Sequence, residues 1–125
     1  MKRDMELMRK ILFAIEEQYK PGDGHIWGLE IEGYDLQTIA EHCDLLEQEG
    51  LVKLYKATHA DNTIHAFAVG NLTTRGFDYL ELIRNEDIWG KTKTEIETKQ
   101  HPKTFEEIAK VAGVFIGNVI KELNS

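Results

Sequence analysis

Cysteine, proline and long hydrophobic runs are nearly absent from this sequence. The single cysteine, Cys43, cannot form an internal disulfide, and no signal segment opens the chain, so we expect a reducing, cytoplasmic setting. The longest apolar-rich stretch, Val111 to Ile120, has about half of the roughly 20 residues that a membrane-spanning helix requires. We therefore expect no membrane span.

Motifs for metals, phosphates and nucleophilic catalysis are also missing. No Cys-x-x-Cys or His-x-x-x-His spacing occurs, and the glycines from Gly22 to Gly33 lack the lysine or helix start of a phosphate-binding loop. His59, His65 and Asp61 could meet across a hairpin as a metal site, although solvation is the favoured interpretation. Neighbouring acids on predicted helices diverge rather than converge on a substrate. We expect no catalytic residue, no metal and no cofactor, and a protein that is not an enzyme.

Basic charge is scarce in the first part of the chain. Residues 1–50 carry five basic and twelve acidic groups, and thus the whole formal net charge of −7, whereas residues 51–125 are balanced. An acidic field repels nucleic acid at long range, and phosphate contacts supply most non-specific DNA affinity. The first 50 residues therefore have the wrong sign for a DNA reader.

Hydrophobic periodicity predicts an α+β fold in one compact chain. Apolar residues at three- and four-residue spacing predict helices, and alternating ones predict strands. In chain order the predicted elements are a helix from Met5 to Tyr19, a strand from His25 to Gly33, a helix capped by Asp35 and ended by Gly50, hairpin strands over Leu51–Thr58 and Thr63–Asn71, a helix capped by Thr73 or Thr74, and a helix from Asn85 to about Thr98.

The chain ends in a predicted helix that follows a polar linker. Residues 1–98 form the predicted main domain, 99–103 the linker, and 104–125 the tail, where Thr104 caps the final helix. Ala109, Gly113 and Gly117 fall four residues apart on one stripe, although each helix-interior glycine costs about 1 kcal/mol against alanine. We expect the tail to pack on the body; self-association into a homodimer through this stripe is the alternative.

Four segments carry a resemblance to a known group of proteins. They are Met1-Lys2-Arg3-Asp4-Met5-Glu6-Leu7, Ile31-Glu32-Gly33-Tyr34-Asp35, Leu45-Leu46-Glu47-Gln48-Glu49-Gly50-Leu51-Val52 and Leu72-Thr73-Thr74-Arg75-Gly76-Phe77-Asp78-Tyr79-Leu80. In these the chain resembles a small uncharacterised bacterial and phage family, and more loosely the winged helix-turn-helix regulators. The resemblance implies a winged-helix-like domain with a small antiparallel sheet and additional C-terminal helices, but no activity.

The resemblance places the helix from Asp35 to Glu49 in the recognition-helix position and the hairpin in the wing position. Leu45 is interpreted as core, with an exposed anchor for a partner as the alternative. The remaining outward side of the helix carries no lysine or arginine, so phosphate contacts would have to come from the wing and beyond. The candidate contact residues for DNA or a partner are Gln37, Thr38, Glu41, Asp44, Gln48, Lys53, Lys56 and Arg75.

Two functions are consistent with this pattern. The first is a regulator or phage accessory factor that binds double-stranded DNA. The second is a protein–protein interaction module whose acidic face does not bind DNA and instead meets a basic partner.

Overall fold

A computed structural model describes residues 1–124 and shows an α+β protein. These residues form five helices and one three-stranded antiparallel sheet. In chain order the elements are α1 (Met5–Gln18), β1 (Ile26–Trp27), α2 (Leu36–Gln48), β2 (Tyr55–Ala60), β3 (Thr63–Val69), α3 (Thr74–Ile83), α4 (Glu86–Thr98) and α5 (Phe105–Leu123). Two compact units are present, Met1–Phe77 and a second that begins at Asp78. Among the helices of residues 1–124, none is long and apolar enough to cross a membrane.

Aspartate side chains begin the first two helices. Asp4 accepts a hydrogen bond from the Leu7 amide at 3.0 Å, and Asp35 accepts one from the Thr38 amide at 2.8 Å. Each bond satisfies an amide that has no partner inside its helix. The bond from Thr38 also lowers the pKa of Asp35. The predicted start of α2 at Asp35 is confirmed, and Gly50, with a φ of 75°, ends it as predicted.

The first strand is much shorter than the pattern from His25 to Gly33 predicts. Only Ile26 and Trp27 pair with β3, because Gly28 has a φ of 64° and its amide makes the last bond toward Phe67. A positive φ turns the chain out of the extended conformation that a ladder requires. The predicted strand therefore stops at Trp27, and the alternation beyond it belongs to a loop.

The hairpin of β2 and β3 forms the centre of the sheet. The strand order is β1-β3-β2, and both pairings are antiparallel. Asp61 and Asn62 join β2 to β3 with φ values of 52° and 65°. Two consecutive positive values are typical of a type I′ turn, which matches the twist of the flanking strands. The turn is two residues long, rather than the four-residue loop from His59 that the sequence predicts.

The core of the first unit lies between α1, α2 and the inner face of the sheet. α2 contacts α1 and both hairpin strands. Burial of these aliphatic side chains, at roughly 25 cal/mol per Å² of apolar surface, supplies the main stabilising term of the unit. The side chains that form this core are Leu7, Ile11, Leu12, Ile15, Ile39, Ala40, Cys43, Leu46, Phe67 and Val69, each at most 2% exposed.

The second unit pairs α4 with α5. Asn85 caps α4 by accepting from the amides of Asp87 and Ile88, at 2.9 and 3.1 Å. α5 packs on α4, and the ring of Phe105 stands edge-on to that of Tyr79 at a centroid distance of 5.4 Å. The segment 99–103 thus joins two helices of one compact unit. The boundary between the two compact units falls inside α3, between Phe77 and Asp78.

Candidate nucleic-acid interface

The sequence predicts α2 as the recognition helix, but the outer side of α2 lacks the basic side chains that a DNA-binding helix usually carries. Glu41 and Gln48 are exposed, Asp44 and Thr38 are half-buried, and the helix contains no lysine or arginine. Leu45 is half-buried. A helix that enters a DNA groove normally has phosphate contacts to fix its position. α2 offers no lysine or arginine for such contacts.

Gln37 is held by the β2–β3 hairpin. Its side-chain amide donates to the Ile64 carbonyl at 2.6 Å, and its side-chain oxygen accepts from the Ile64 amide at 2.9 Å. Reading adenine through Gln needs both of these groups at once. Gln37 therefore fastens β3 to the first turn of α2, and its base-reading groups are already engaged.

Three acids lie at three-residue spacing on α2, and one of them contacts the start of β2. The Glu47 carboxylate accepts from the Tyr55 amide at 2.6 Å. The pKa of Tyr55 is raised to about 12, chiefly by burial and then by nearby negative charge that includes Asp44, Glu41 and Glu47. Residues three apart on a helix are neighbours on one side of it. The three acids therefore form a negative surface, which we call the α2 acidic face (Glu41, Asp44 and Glu47).

Two lysines lie at or near the start of the hairpin strand β2. Lys53 and Lys56 are exposed, and Lys56 pairs with Ala68, which in turn pairs with Trp27 on the other side of β3. Residues directly opposite one another share a sheet face. Trp27 is 53% exposed. Sequence alternation indicated a half-buried strand and did not single out this tryptophan as a surface residue.

The C-terminus of α2 is fastened by the start of α3. Thr73 donates to the Gly50 carbonyl at 2.6 Å and accepts from the Gly76 amide at 3.0 Å. Arg75 donates to the Glu49 carbonyl at 2.7 Å. The two motifs Glu-Gln-Glu-Gly-Leu-Val and Leu-Thr-Thr-Arg-Gly therefore meet in space. They supply the carbonyl partners that a helix end requires, and we call this contact the α2–α3 lock (Glu49, Gly50, Thr73, Arg75 and Gly76).

Arg75 therefore has a structural role that the sequence did not indicate. Replacing Arg75 by methionine keeps the apolar stem and removes the hydrogen bond to Glu49, so we expect a loss of about 1 kcal/mol of unfolding free energy. Urea unfolding measures this loss, with Lys53→Met as the control at an exposed cation. Equal stabilities of the two variants would show that Arg75 does not hold the helix end.

A buried histidine connects the N-terminal segment to α2. His42 is fully buried; its Nε2 accepts from the Asp4 amide at 3.0 Å, and its Nδ1 lies 2.7 Å from the Thr38 carbonyl. A carbonyl only accepts and an amide only donates, so the ring carries its proton on Nδ1 and is neutral. His42 is thus a structural link, with no ring nitrogen left for a ligand.

Cys43 is buried beside it and is unsuited to nucleophilic chemistry. Burial raises the pKa of the Cys43 thiol from 9.0 to about 12. Folding keeps the Cys43 thiol protonated. The free energy of unfolding that this group contributes is therefore complete below pH 9 and is lost as the pH rises toward 12. We expect the unfolding free energy to fall by up to about 1.4 kcal/mol per pH unit from this group above pH 9. Denaturant unfolding from pH 8 to 11 should show a shallower decline for Cys43→Ala; identical slopes would contradict this assignment.

The remaining histidines lie on the surface or in a turn. His59 and His65 are exposed in the hairpin. His101 lies between Glu107 and Glu95, with ring-nitrogen distances of 3.2 and 3.4 Å. Glu107 therefore turns toward His101, while Thr104 accepts from its amide at 3.1 Å as predicted. Among the described residues, no group of three or more His, Cys, Asp or Glu is arranged to hold a metal ion.

The predicted self-association stripe lies on α5. Ala109 and Gly117 are half-buried and Gly113 is exposed. Apart from its chain neighbours and the adjoining backbone of α5 itself, a Cβ atom built at either glycine would have no described atom within 4 Å. Among residues 1–124, no other backbone segment packs closely against these two glycines.

Comparison with known proteins places the chain among relatives without an assigned activity. The protein family described as "Hypothetical protein (DUF2513)" matches residues 2–102. A protein of Haemophilus influenzae named "Uncharacterized protein" is 30% identical over 122 residues, covering 96% of this chain and 99% of the relative. No solved structure matches the chain.

Proposed function

Because the chain belongs to the family described as "Hypothetical protein (DUF2513)", which carries no activity in its name, we propose a function from the geometry of the site. We propose a non-enzymatic binding protein on a winged-helix-like scaffold, whose α2 acidic face binds a basic segment of a protein partner.

The order of elements in the first unit supports the scaffold. α2 is followed directly by the β2–β3 hairpin, and β1 pairs with β3 on the side away from β2. A recognition helix followed by its wing has this order of elements, which supports the proposed scaffold. Residues 28–35, between β1 and α2, form no helix, whereas DNA-reading helix-turn-helix proteins place one across the DNA backbone. The order of elements therefore resembles that of a winged helix, but the helix that such DNA-reading proteins place across the DNA backbone is missing before α2.

The observation that carries the proposal is a row of three acids along one side of α2. Glu41, Asp44 and Glu47 recur at three-residue spacing on the helix, Glu47 accepts from the Tyr55 amide at 2.6 Å, and α2 contains no lysine or arginine to offset them. Opposite charge steers encounter and fixes register between partners, and like charge rejects the wrong ones. A lysine- or arginine-rich segment matches this surface, and DNA phosphate does not.

DNA binding through the hairpin, as the wing, is a second candidate, and two exposed residues on one face of the sheet favour it. Lys56 and Trp27 lie on the same sheet face, and Lys53 precedes β2. In this case the wing would supply the phosphate contacts, and the acids of α2 would oppose binding. The two candidates therefore predict opposite effects when those acids are neutralised.

The test neutralises Glu41 and Asp44 together. For Glu41→Gln/Asp44→Asn we expect binding to a labelled lysine- and arginine-rich peptide to weaken by about threefold to tenfold, the combined size of two exposed ion pairs. Fluorescence anisotropy at low ionic strength measures the affinity. The matched control, Glu30→Gln/Glu32→Gln, removes the same charge from an exposed loop of the same unit and should change the affinity less than twofold.

Three outcomes decide the matter. Selective weakening by the α2 variant supports the proposal. Equal weakening by both variants would mean that peptide affinity depends only on the net charge of the protein. That result would contradict binding at the α2 acidic face. Tighter binding of a duplex DNA by the α2 variant, with loss of that binding in Lys53→Gln/Lys56→Gln, would favour the second candidate.

A further inference from the structure

The outward face of α5 combines exposed aliphatic side chains with glycine. Val114 is 58% exposed and Ile120 is 52% exposed. At 100° per residue, Gly113 and Gly117 lie between these two side chains, and all four fall within an arc of about 120°. The result is a shallow groove with an aliphatic residue on each side, which we call the α5 groove.

The groove has no occupant among residues 1–124. Glycine inside a helix weakens it, so a fold usually gains something from the small residue. In this chain the space above both glycines is open to 4 Å. An approaching helix could therefore come closer here than anywhere else along α5.

The charges beside the groove identify what fits it. Glu106 lies seven residues before Gly113, and Lys121 lies seven residues after Val114; both are exposed. An antiparallel copy of α5, centred between Gly113 and Val114, would therefore place the Glu106 carboxylate of each copy opposite the Lys121 ammonium of the other. The same register puts Val114 of one copy against Gly113 of the other, and the Lys110 stem over Gly117.

We propose that the α5 groove binds the α5 groove of a second copy of this chain in an antiparallel, two-fold symmetric dimer. A two-fold interface must be self-complementary, and this face is so in shape and in charge. One helix pair buries less surface than the roughly 800 Å² per partner of a standard interface. The dimer is accordingly weak and concentration-dependent. This proposal does not rest on the proposed function of α2.

The first test fills the groove. Gly113→Leu places a bulky side chain where Val114 of the second copy would insert, while leucine is a better helix former than glycine. We expect the full-length wild type to be a monomer–dimer mixture by sedimentation equilibrium between about 10 and 500 μM, and the variant to dimerise at least tenfold more weakly. The variant's melting temperature, measured at the lowest concentration, should be unchanged or higher. Asn118→Leu, exposed at the side of the same helix, is the matched control and should dimerise as the wild type does.

The second test exchanges charges. Glu106→Lys and Lys121→Glu should each weaken self-association, because like charges then face each other twice. An equimolar mixture of the two variants should associate again, since both ion pairs are restored in the heterodimer. A wild type that stays monomeric at 500 μM would overturn the proposal. So would a dimer that survives Gly113→Leu, or a charge mixture that associates no better than either variant alone.

Discussion

Replacing Gly76 by alanine is expected to cost at least about 3 kcal/mol of unfolding free energy or to prevent folding of the first unit. An alanine Cβ at this position would overlap the carbonyl oxygen of Leu51. That carbonyl cannot retreat freely, because it also accepts from the Thr73 amide at 3.0 Å. The overlap is between backbone atoms and a rigid methyl group, so no side-chain rotation relieves it. Urea unfolding followed by circular dichroism measures the loss.

Gly90→Ala is the matched control for this change. Gly90 lies inside α4, and a Cβ there has no described atom within 4 Å apart from its chain neighbours and the adjoining backbone of α4. Alanine at this position should raise the unfolding free energy by up to about 1 kcal/mol. If Gly76→Ala behaved like Gly90→Ala, the close contact in the α2–α3 lock would be refuted.

Replacing His42 by leucine is expected to cost about 2 to 3 kcal/mol. Leucine fills the buried space but leaves the part-buried Asp4 amide without its acceptor, so the desolvation cost of that amide is no longer offset. His42→Gln keeps an acceptor and should lose clearly less. Chemical denaturation gives the stabilities, and hydrogen exchange at the Asp4 amide should show loss of protection in His42→Leu only.

This prediction would be contradicted in two ways. A His42→Leu variant as stable as the wild type would mean that the link between the N-terminal segment and α2 contributes nothing. Equal losses in the leucine and glutamine variants would mean that ring packing matters, rather than the hydrogen bond to Asp4.

Local signals allowed the helix starts to be predicted. Asp35 and Thr104 each accept from the amide three residues later, at 2.8 and 3.1 Å. A capping bond of this kind needs only a short side chain and nearby backbone, so sequence spacing contains all the information required. The same holds for Gly50, whose positive φ ends α2.

The roles of the candidate site residues depended on partners far along the chain. Gln37 bonds to Ile64, 27 residues away, and Arg75 bonds to Glu49, 26 residues away. No helical or strand period connects such pairs. The sequence therefore predicted Gln37 and Arg75 only as contacts to a ligand, and it did not reveal that Gln37 fastens the β2–β3 hairpin and Arg75 the α2–α3 lock.

The strand limits were missed for a different reason. Alternation from His25 to Gly33 continues past Gly28, but the positive φ of Gly28 and of Gly33 ends extended structure that the pattern alone would prolong. Alternation reports which side chains could share a face, not which amides find a partner. Trp27 lies at this break, and its exposure follows from the short edge strand.

The hydrogen bonds at the C-terminal end of α2 give its sequence motif a structural role. Its glutamates, glycine and the following Leu-Thr-Thr-Arg-Gly build a helix end that is fixed from both sides. A rigid α2 presents its carboxylates in one arrangement, which is what a preorganised binding surface requires. The acidic face is therefore a consequence of the fold and the centre of the functional proposal.

The most direct test of that proposal is a side-by-side titration of the full-length protein with two labelled probes at low ionic strength. One probe is a lysine- and arginine-rich peptide, and the other is a mixed-sequence DNA duplex of about 20 base pairs. We expect saturable binding of the peptide at micromolar protein, lost on addition of salt as for exposed ion pairs, and no binding of the duplex. Saturable binding of the duplex with none of the peptide would contradict the account.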